Sequence, residues 1–275
     1  MVAAMVTARF AALLVMVALS LVAGGVLAPA AEAGDVFARF EVFGFAGLHV
    51  LTTRTTVEEA ANQYAVTVDF DTRGLASLFV DLTSHSEVHG KLAADTLRPE
   101  AYRAEVRRNG ADRRYSLDYR GDDAVINAST PSSAERPLLI AAEQVRGTVD
   151  QLTAYFLVER QLARRGTCAL VVPVFDGSGL YDLRFTDVKR ENLAADSHQN
   201  FAGPTQVCEV VRRDIVTSRD RDDETYRRGK IWYARLIAED RMIPVRMEYD
   251  TAFGSVTGYL AELHGHGVDL HLTRQ

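Results

Sequence analysis

His85 and His89 stand four residues apart with Glu87 between them, a spacing that on a helix would bring two imidazoles together as zinc ligands. The zinc-peptidase pattern needs His-Glu-x-x-His, and here the glutamate is displaced; on a strand the two rings would share a face but stand apart. His264, His266 and His271 alternate with Gly265, Gly267 and Asp269. On a strand 264 and 266 share a face, which reads as solvated rather than ligating. Asp220-Arg-Asp-Asp-Glu224 is the densest acidic run, but a calcium loop counted from Asp220 would need Gly where Thr225 stands and Glu where Ile231 stands. With Arg219, Arg221, Arg227 and Arg228 interleaved, the run reads as a solvated hairpin tip. Gly177-Ser178-Gly179 lacks the Gly-x-Ser-x-Gly of a nucleophile elbow and lies between strands, so Ser178 reads as a turn residue. Gly265-His-Gly267 leads into no helix that could cradle a phosphate. Neither a metal nor a cofactor is expected, and no residue is assigned a catalytic role.

Cys168 and Cys208 are the two cysteines of the chain. With no third to compete, and far from C-x-x-C spacing, they are expected to form a disulfide between neighbouring strands facing inward. Two buried free thiols are the alternative. Closing a loop of roughly 41 residues would stabilise the fold by about 4 kcal/mol on the chain-entropy argument.

An oxidising compartment is also what the first residues imply. Arg9, the apolar run at 10–26 and the small-x-small sequence Ala31-Glu-Ala33 make up a signal peptide over 1–33, cut after Ala33 so that the mature chain begins at Gly34. Gly24-Gly25 interrupt a run already short for a membrane span, so no integral membrane segment is expected after cleavage. The working protein is expected to be periplasmic, one β-rich domain over 34–275. A net charge of −6 from 31 Lys+Arg and 37 Asp+Glu leaves no excess of positive charge for phosphates, which argues against nucleic acid as a partner.

The elements that must position any site are mostly strands. In residues 64–71, Tyr64, Val66, Val68 and Phe70 point one way while Thr67, Asp69 and Asp71 point the other. The same alternation recurs at 38–42, 102–106, 115–119, 181–185, 243–249 and 268–272. Asn109-Gly110, Asp176-Gly177 and the glycines at 44–47 mark turns. The fold class is therefore mainly β: a curved antiparallel meander, half-barrel or barrel, with one central helix near 148–164. Thr148-Val-Asp-Gln151 fits a capping box with Asp150 as a competing N-cap, and Arg164, Arg165 and Gly166 end the segment. Residues 152–158 are apolar nearly all round, so this helix needs cover on more than one side. The stretches 129–137 and 189–206 are turn-rich and polar and read as surface excursions.

Three segments carry a resemblance. Lys230-Ile-Trp-Tyr-Ala-Arg-Leu, continuing through Pro244-Val-Arg to Tyr249 and on to Phe253-Gly-Ser-Val256, resembles the closing strands of the exported bacterial DUF3108 family. Asp150-Gln-Leu-Thr-Ala154 resembles that family's central helix start, and Phe40-Glu-Val-Phe-Gly-Phe-Ala-Gly-Leu48 its opening strand and turn. The resemblance implies a curved, largely antiparallel sheet. It carries no activity and no catalytic residues to this chain, and the polar stretch at 189–206 and the histidine-containing tail have no place in it.

Together these readings point to a non-enzymatic binding or envelope-maintenance protein whose partner is an apolar ligand or an envelope protein. Leu152, Tyr155 and Phe156, with Leu157 and Val158 beside them, present more apolar surface than one sheet contact needs. They would face Tyr64, Val66, Val68, Phe70, Val245, Met247 and Tyr249 across a ligand. The same surplus would also build an ordinary core. A hydrolase with site residues gathered from separate strands, and a structural module offering a sheet edge, are the rival classes.

Overall fold

The computed structural model describes residues 34–44, 47–72, 81–93, 96–130, 140–217, 228–237, 241–251 and 254–272. The signal peptide expected over 1–33 and the acidic run at 220–224 lie outside the described residues. The first seven strands are β1 (Asp35–Phe43), β2 (His49–Ala60), β3 (Gln63–Thr72), β4 (Leu82–Ala93), β5 (Thr96–Arg108), β6 (Ala111–Arg120) and β7 (Asp123–Thr130). After the α-helix, α1 (Gln151–Arg165), come β8 (Leu170–Phe175), β9 (Gly179–Leu193), β10 (Gly203–Thr217), β11 (Arg228–Ala234), β12 (Ile243–Thr251), β13 (Gly254–Gly265) and β14 (Val268–His271).

These 14 strands form one antiparallel sheet in the order β7-β6-β5-β4-β3-β2-β1-β13-β12-β11-β10-β9-β8, with β14 added on β13. Each half is a meander of consecutive hairpins, and the halves join where β1 pairs with β13, Phe37 opposite His264 and Phe40 opposite Leu260. Consecutive pairing needs tight turns: between β5 and β6 both Asn109 (φ 50) and Gly110 (φ 79) adopt left-handed backbone, as a two-residue hairpin loop demands.

This order leaves β7 and β8 as the two outer strands, and residues 146–149, just before α1, reach both of them. Gly147 N–H donates to Asp122 O (2.7 Å), Val149 N–H to Pro173 O (3.1 Å), and Phe175 N–H to Val149 O (2.9 Å). An isolated bridge pairs Asp123 with Arg146, and another pairs Val149 with Val174. The sheet is thereby a nearly closed antiparallel barrel with one helix, its exposed backbone edges partly satisfied by this connecting segment.

Extended backbone at Val149 also fixes where the helix starts. Thr148 directs its hydroxyl to Val145 O instead of capping, and Asp150 is the N-cap, its Oδ1 accepting from Thr153 N–H (2.9 Å). The helix thus runs over Gln151–Arg165 and not from Thr148. It stops at Gly166, whose φ of 70 suits glycine. Two flanks of α1 are buried, as the apolar stretch at 152–158 requires. Phe156 packs with Tyr64, Val66, Val88 and Leu117; Ala154, Val158 and Leu162 pack with Val174, Phe185, Val210 and Ile231.

Two stretches differ from their expected roles. Residues 189–206 are not one excursion: β9 continues to Leu193 and β10 begins at Gly203, and the end of the 15-residue β9 is mostly polar and exposed, with Leu193 packed against the cluster that holds Phe201 and Trp232. The short connection left between them is not mere surface. Phe201 is buried among Trp232, Ile243 and Leu260, and Gln199 Nε2 donates to the carbonyls of Val245 (2.7 Å) and Leu260 (3.1 Å) where β12 and β13 have ceased to pair. Of 129–137, Ser129 and Thr130 belong to β7, and 131–139 lie outside the described residues.

Candidate functional site

On α1, Leu152, Tyr155, Phe156 and Glu159 fall at i, i+3, i+4 and i+7, one face of a 3.6-residue helix. That face looks into a cavity of about 500 Å³. The alternating positions of the strands line the opposite wall: Val36, Ala38, Phe40 and Val42 from β1, Val66, Val68 and Phe70 from β3, Met247 and Tyr249 from β12. The helix covers only part of this wall. Along β3, Tyr64 and Val66 are buried under α1, with the Tyr64 and Phe156 ring centroids 5.5 Å apart, while Val68 and Phe70 remain partly accessible. Leu152, Tyr155 and Phe156 all line the cavity. Tyr64 and Val245 of the expected facing set are in buried packing instead.

A few polar side chains interrupt the apolar lining. Glu159 sits at the helix end of the cavity with 16% of its side chain accessible, and Arg241 with 2%; Arg241 Nε lies 3.8 Å from Glu159 Oε2. Burial pushes the Glu159 carboxyl up to about 7, against the opposing pull of Arg241 and with a further push from Glu59. Arg212 of β10 donates from Nε to Asp214 Oδ1 (2.6 Å), and its guanidinium lies 3.5 Å from the centre of the Tyr181 ring. Burial also raises the Tyr155 phenol, which is held by a hydrogen bond with Tyr249.

At the helix start, Asp150 is fully buried. Its Oδ2 accepts from Thr153 Oγ1 (2.6 Å), which lies 2.9 Å from Tyr64 Oη. Burial raises this carboxyl to about 6, with the Thr153 bonds holding it down. Asp176 Oδ1 accepts from Ser178 N (2.8 Å), Ser178 Oγ (2.6 Å) and Gly179 N (3.0 Å), so Ser178 serves a turn as its sequence context implies. Thr52 Oγ1 donates to Glu41 Oε2 (2.7 Å), and His49 Nε2 lies 2.5 Å from the same oxygen and 3.4 Å from Thr52 Oγ1, so the hydroxyl proton is committed to the carboxylate.

Cys168 and Cys208 are at disulfide distance and bridged, with Cα atoms 6.1 Å apart. They do not sit on neighbouring strands: Cys168 precedes β8, Cys208 is on β10, and β9 runs between. Both reach the same apolar cluster at the end of α1, over Asp187 of β9, whose Oδ1 accepts from Cys168 N–H (3.0 Å).

The histidines separate by local structure. His85 and His89 lie on β4, a strand, and His85 Nδ1 pairs with Asp69 (2.7 Å), which raises its pKa. His266 is in the β13–β14 turn and not on a strand face with His264; its Nε2 is 2.8 Å from Gly34 O. Strand pairing, not sequence spacing, makes a cluster: Glu262 opposes His271 and His264 opposes Asp269. Donor atoms of Glu262, His264 and His271 lie within 4.8 Å of one another, which corrects the expectation that no histidine group reaches ligand spacing. This cluster is tied together by its own charges, with His264 Nδ1 at 2.8 Å from Asp269 Oδ1 and Arg39 Nη2 donating to Glu262 Oε1 (2.7 Å). Excess EDTA is therefore expected to leave the melting temperature unchanged. A fall of several degrees by differential scanning fluorimetry, restored by zinc, would show a resident metal.

The architecture defines an antiparallel barrel-like protein with an internal apolar cavity. A family model, "Protein of unknown function (DUF3108)", matches residues 39–261, and the chain belongs to that family. Among solved structures it is similar to "Beta-barrel-like Protein of Domain of Unknown Function DUF1849 from Brucella abortus", at 14% identity and a TM-score of 0.50 over 84% of this chain and 97% of that one. A search of curated proteins finds no match. Among the described residues no helix is long and apolar enough to cross a membrane.

Proposed function

We propose that this chain is an exported, periplasmic, non-enzymatic binding protein that holds an apolar, lipid-like ligand between α1 and the concave wall of its barrel. The observation that carries this reading is the cavity. It has about 500 Å³ of space within a size range typical of ligand sites, and side chains from β1, β3, β12 and α1 make its walls mostly hydrocarbon. A dry core would close such a space, because packing at crystal-like density leaves few voids larger than a water molecule. Export is supported by the signal-like sequence over 1–33 and by the bridged cysteines, which persist in oxidising compartments. A hydrolase is disfavoured by the lining itself, since the described residues around the cavity include no serine, cysteine or histidine.

The test is a fluorescence titration with N-phenyl-1-naphthylamine, an uncharged apolar probe. Saturable, blue-shifted binding in the micromolar range is expected. Val68→Trp, which fills the lumen from β3, should weaken it at least tenfold while far-UV circular dichroism stays the same. Absence of saturable binding by the unmodified protein would refute the cavity as a ligand site.

A further inference from the structure

Among the described residues of the cavity, two arginines keep buried nitrogens that no partner uses, Arg212 at Nη2 and Arg241 at both Nε and Nη1, and Arg241 has the larger share of unused donors. Its side chain is 2% exposed, its guanidinium carbon lies 5.6 Å from the centre of the Phe156 ring, and its Nε and Nη1 have no hydrogen-bond partner among the described residues. Among the described residues the countercharge that faces it is Glu159, whose Oε2 is 3.8 Å from Nε, beyond hydrogen-bond reach. Arg160, on the same helix, shows what a satisfied arginine looks like in this protein: its Nη1 is 2.5 Å from Glu59 Oε2. Arg212 spends its Nε on Asp214 and lays its guanidinium over the Tyr181 ring, which leaves only Nη2 without a partner among the described residues. A buried cation is costly to keep unless its donors are used, and a guanidinium offers a planar fork that matches a carboxylate.

Resting on the apolar-ligand reading above, we propose that the cavity takes an amphiphile with an apolar chain and one carboxylate head, and that Arg241 binds the head. The chain would lie along the wall formed by Phe40, Val42, Val68 and Met247, away from α1, while the head sits where Arg241 faces Phe156 and Glu159. Glu159 then competes with the ligand for the same cation. A ligand carboxylate supplies the bidentate acceptors that Glu159, at its distance, does not.

The probes are cis-parinaric acid and its methyl ester, which share chain and fluorescence and differ in the head alone. The unmodified protein is expected to bind the acid at least tenfold more tightly than the ester at neutral pH. Arg241→Met, which keeps the packing volume and removes the charge, should bring the acid-to-ester ratio close to one. Glu159→Gln, which removes the competitor, should raise the ratio. Equal affinities for acid and ester in the unmodified protein overturn the proposal whether or not the Met variant folds. So does an unchanged ratio in a folded Arg241→Met protein. If naphthylamine and the ester bind but the acid is not preferred, the head-group assignment alone fails; if neither binds, the cavity reading fails and this inference falls with it. A lysophosphatidate that displaces the ester more strongly than palmitate does would move the head from carboxylate to phosphate and overturn the assignment as stated.

Discussion

Replacing Cys168 and Cys208 together by alanine lowers the unfolding free energy by about 4 kcal/mol, the largest effect expected of any change away from the cavity. The bridge joins the segment after α1 to β10 across a sequence separation of 40, so breaking it returns the loop-closure entropy of that length to the unfolded chain. Both residues are fully buried in the cluster that also holds Ala154, Val158 and Leu162, so the loss is felt where the helix is anchored. For a domain of this size the melting temperature should fall by roughly 8–16 °C. Urea denaturation of the variant and the parent measures the difference directly. Peptide mapping without reductant should recover one cross-linked pair; two free thiols, or a loss under about 1 kcal/mol, would contradict the argument. Alanine serves better than serine here, since a hydroxyl beside Asp187 would add a polar contact and blur the comparison.

The strand pattern was legible because one face of this barrel is apolar and the other wet. Wherever that contrast is strong, as along Tyr64, Val66, Val68 and Phe70, period two reads directly. It fades in β2, whose Thr52–Thr56 stretch is all threonine and arginine, and in β4, where the buried positions are Ser84, Val88 and Gly90 and only one of them is apolar in its side chain. Such strands are set by their neighbours in the meander and not by their own sequence. The helix was legible for its caps, but its first residue was decided by the β8 bridge at Val149, a long-range contact with no local trace. Leu152, Tyr155 and Phe156 could be placed toward the barrel from their spacing. Glu159 continues that same stripe and was overlooked because it is charged. Arg241 carried no signal at all: only the fold brings it to Glu159. The histidine cluster was missed for a related reason, since 262 and 271 become neighbours through hairpin register and not through spacing along the chain.

Stability should decline as pH rises from about 4 to about 7, and the decline should shrink by about half in Glu159→Gln. Burial raises Glu159 from 4.5 to about 7 and Asp150 from 3.8 to about 6. Both acids therefore bind their proton more tightly in the folded than in the unfolded protein. Between the two sets of values the native state holds more protons, so the slope of stability with pH is negative: the full stability is present below about pH 4 and the loss is complete above about pH 7. At about 1.4 kcal/mol for each tenfold change in proton affinity, each carboxyl contributes on the order of 3 kcal/mol. His85, raised by Asp69, adds a loss of the same sign as pH rises, but it is exposed and its share is small. Glu262 and Glu191 are lowered, mainly by bonds from Arg39 and Lys189, and act below this window. The groups facing Glu159 are Arg241, Glu59 and Tyr233, and of these only Arg241 favours its charged form. Removing the carboxylate deprives Arg241 of its countercharge, yet the raised Glu159 value shows that burial outweighs their attraction. At pH 8 the Gln variant should accordingly be at least as stable as the parent, and at pH 5 close to it. Urea midpoints measured at half-unit intervals across this range decide the matter. A parent whose stability is flat or rises toward pH 8 would mean that Glu159 is ionised throughout, held by Arg241 as a settled pair.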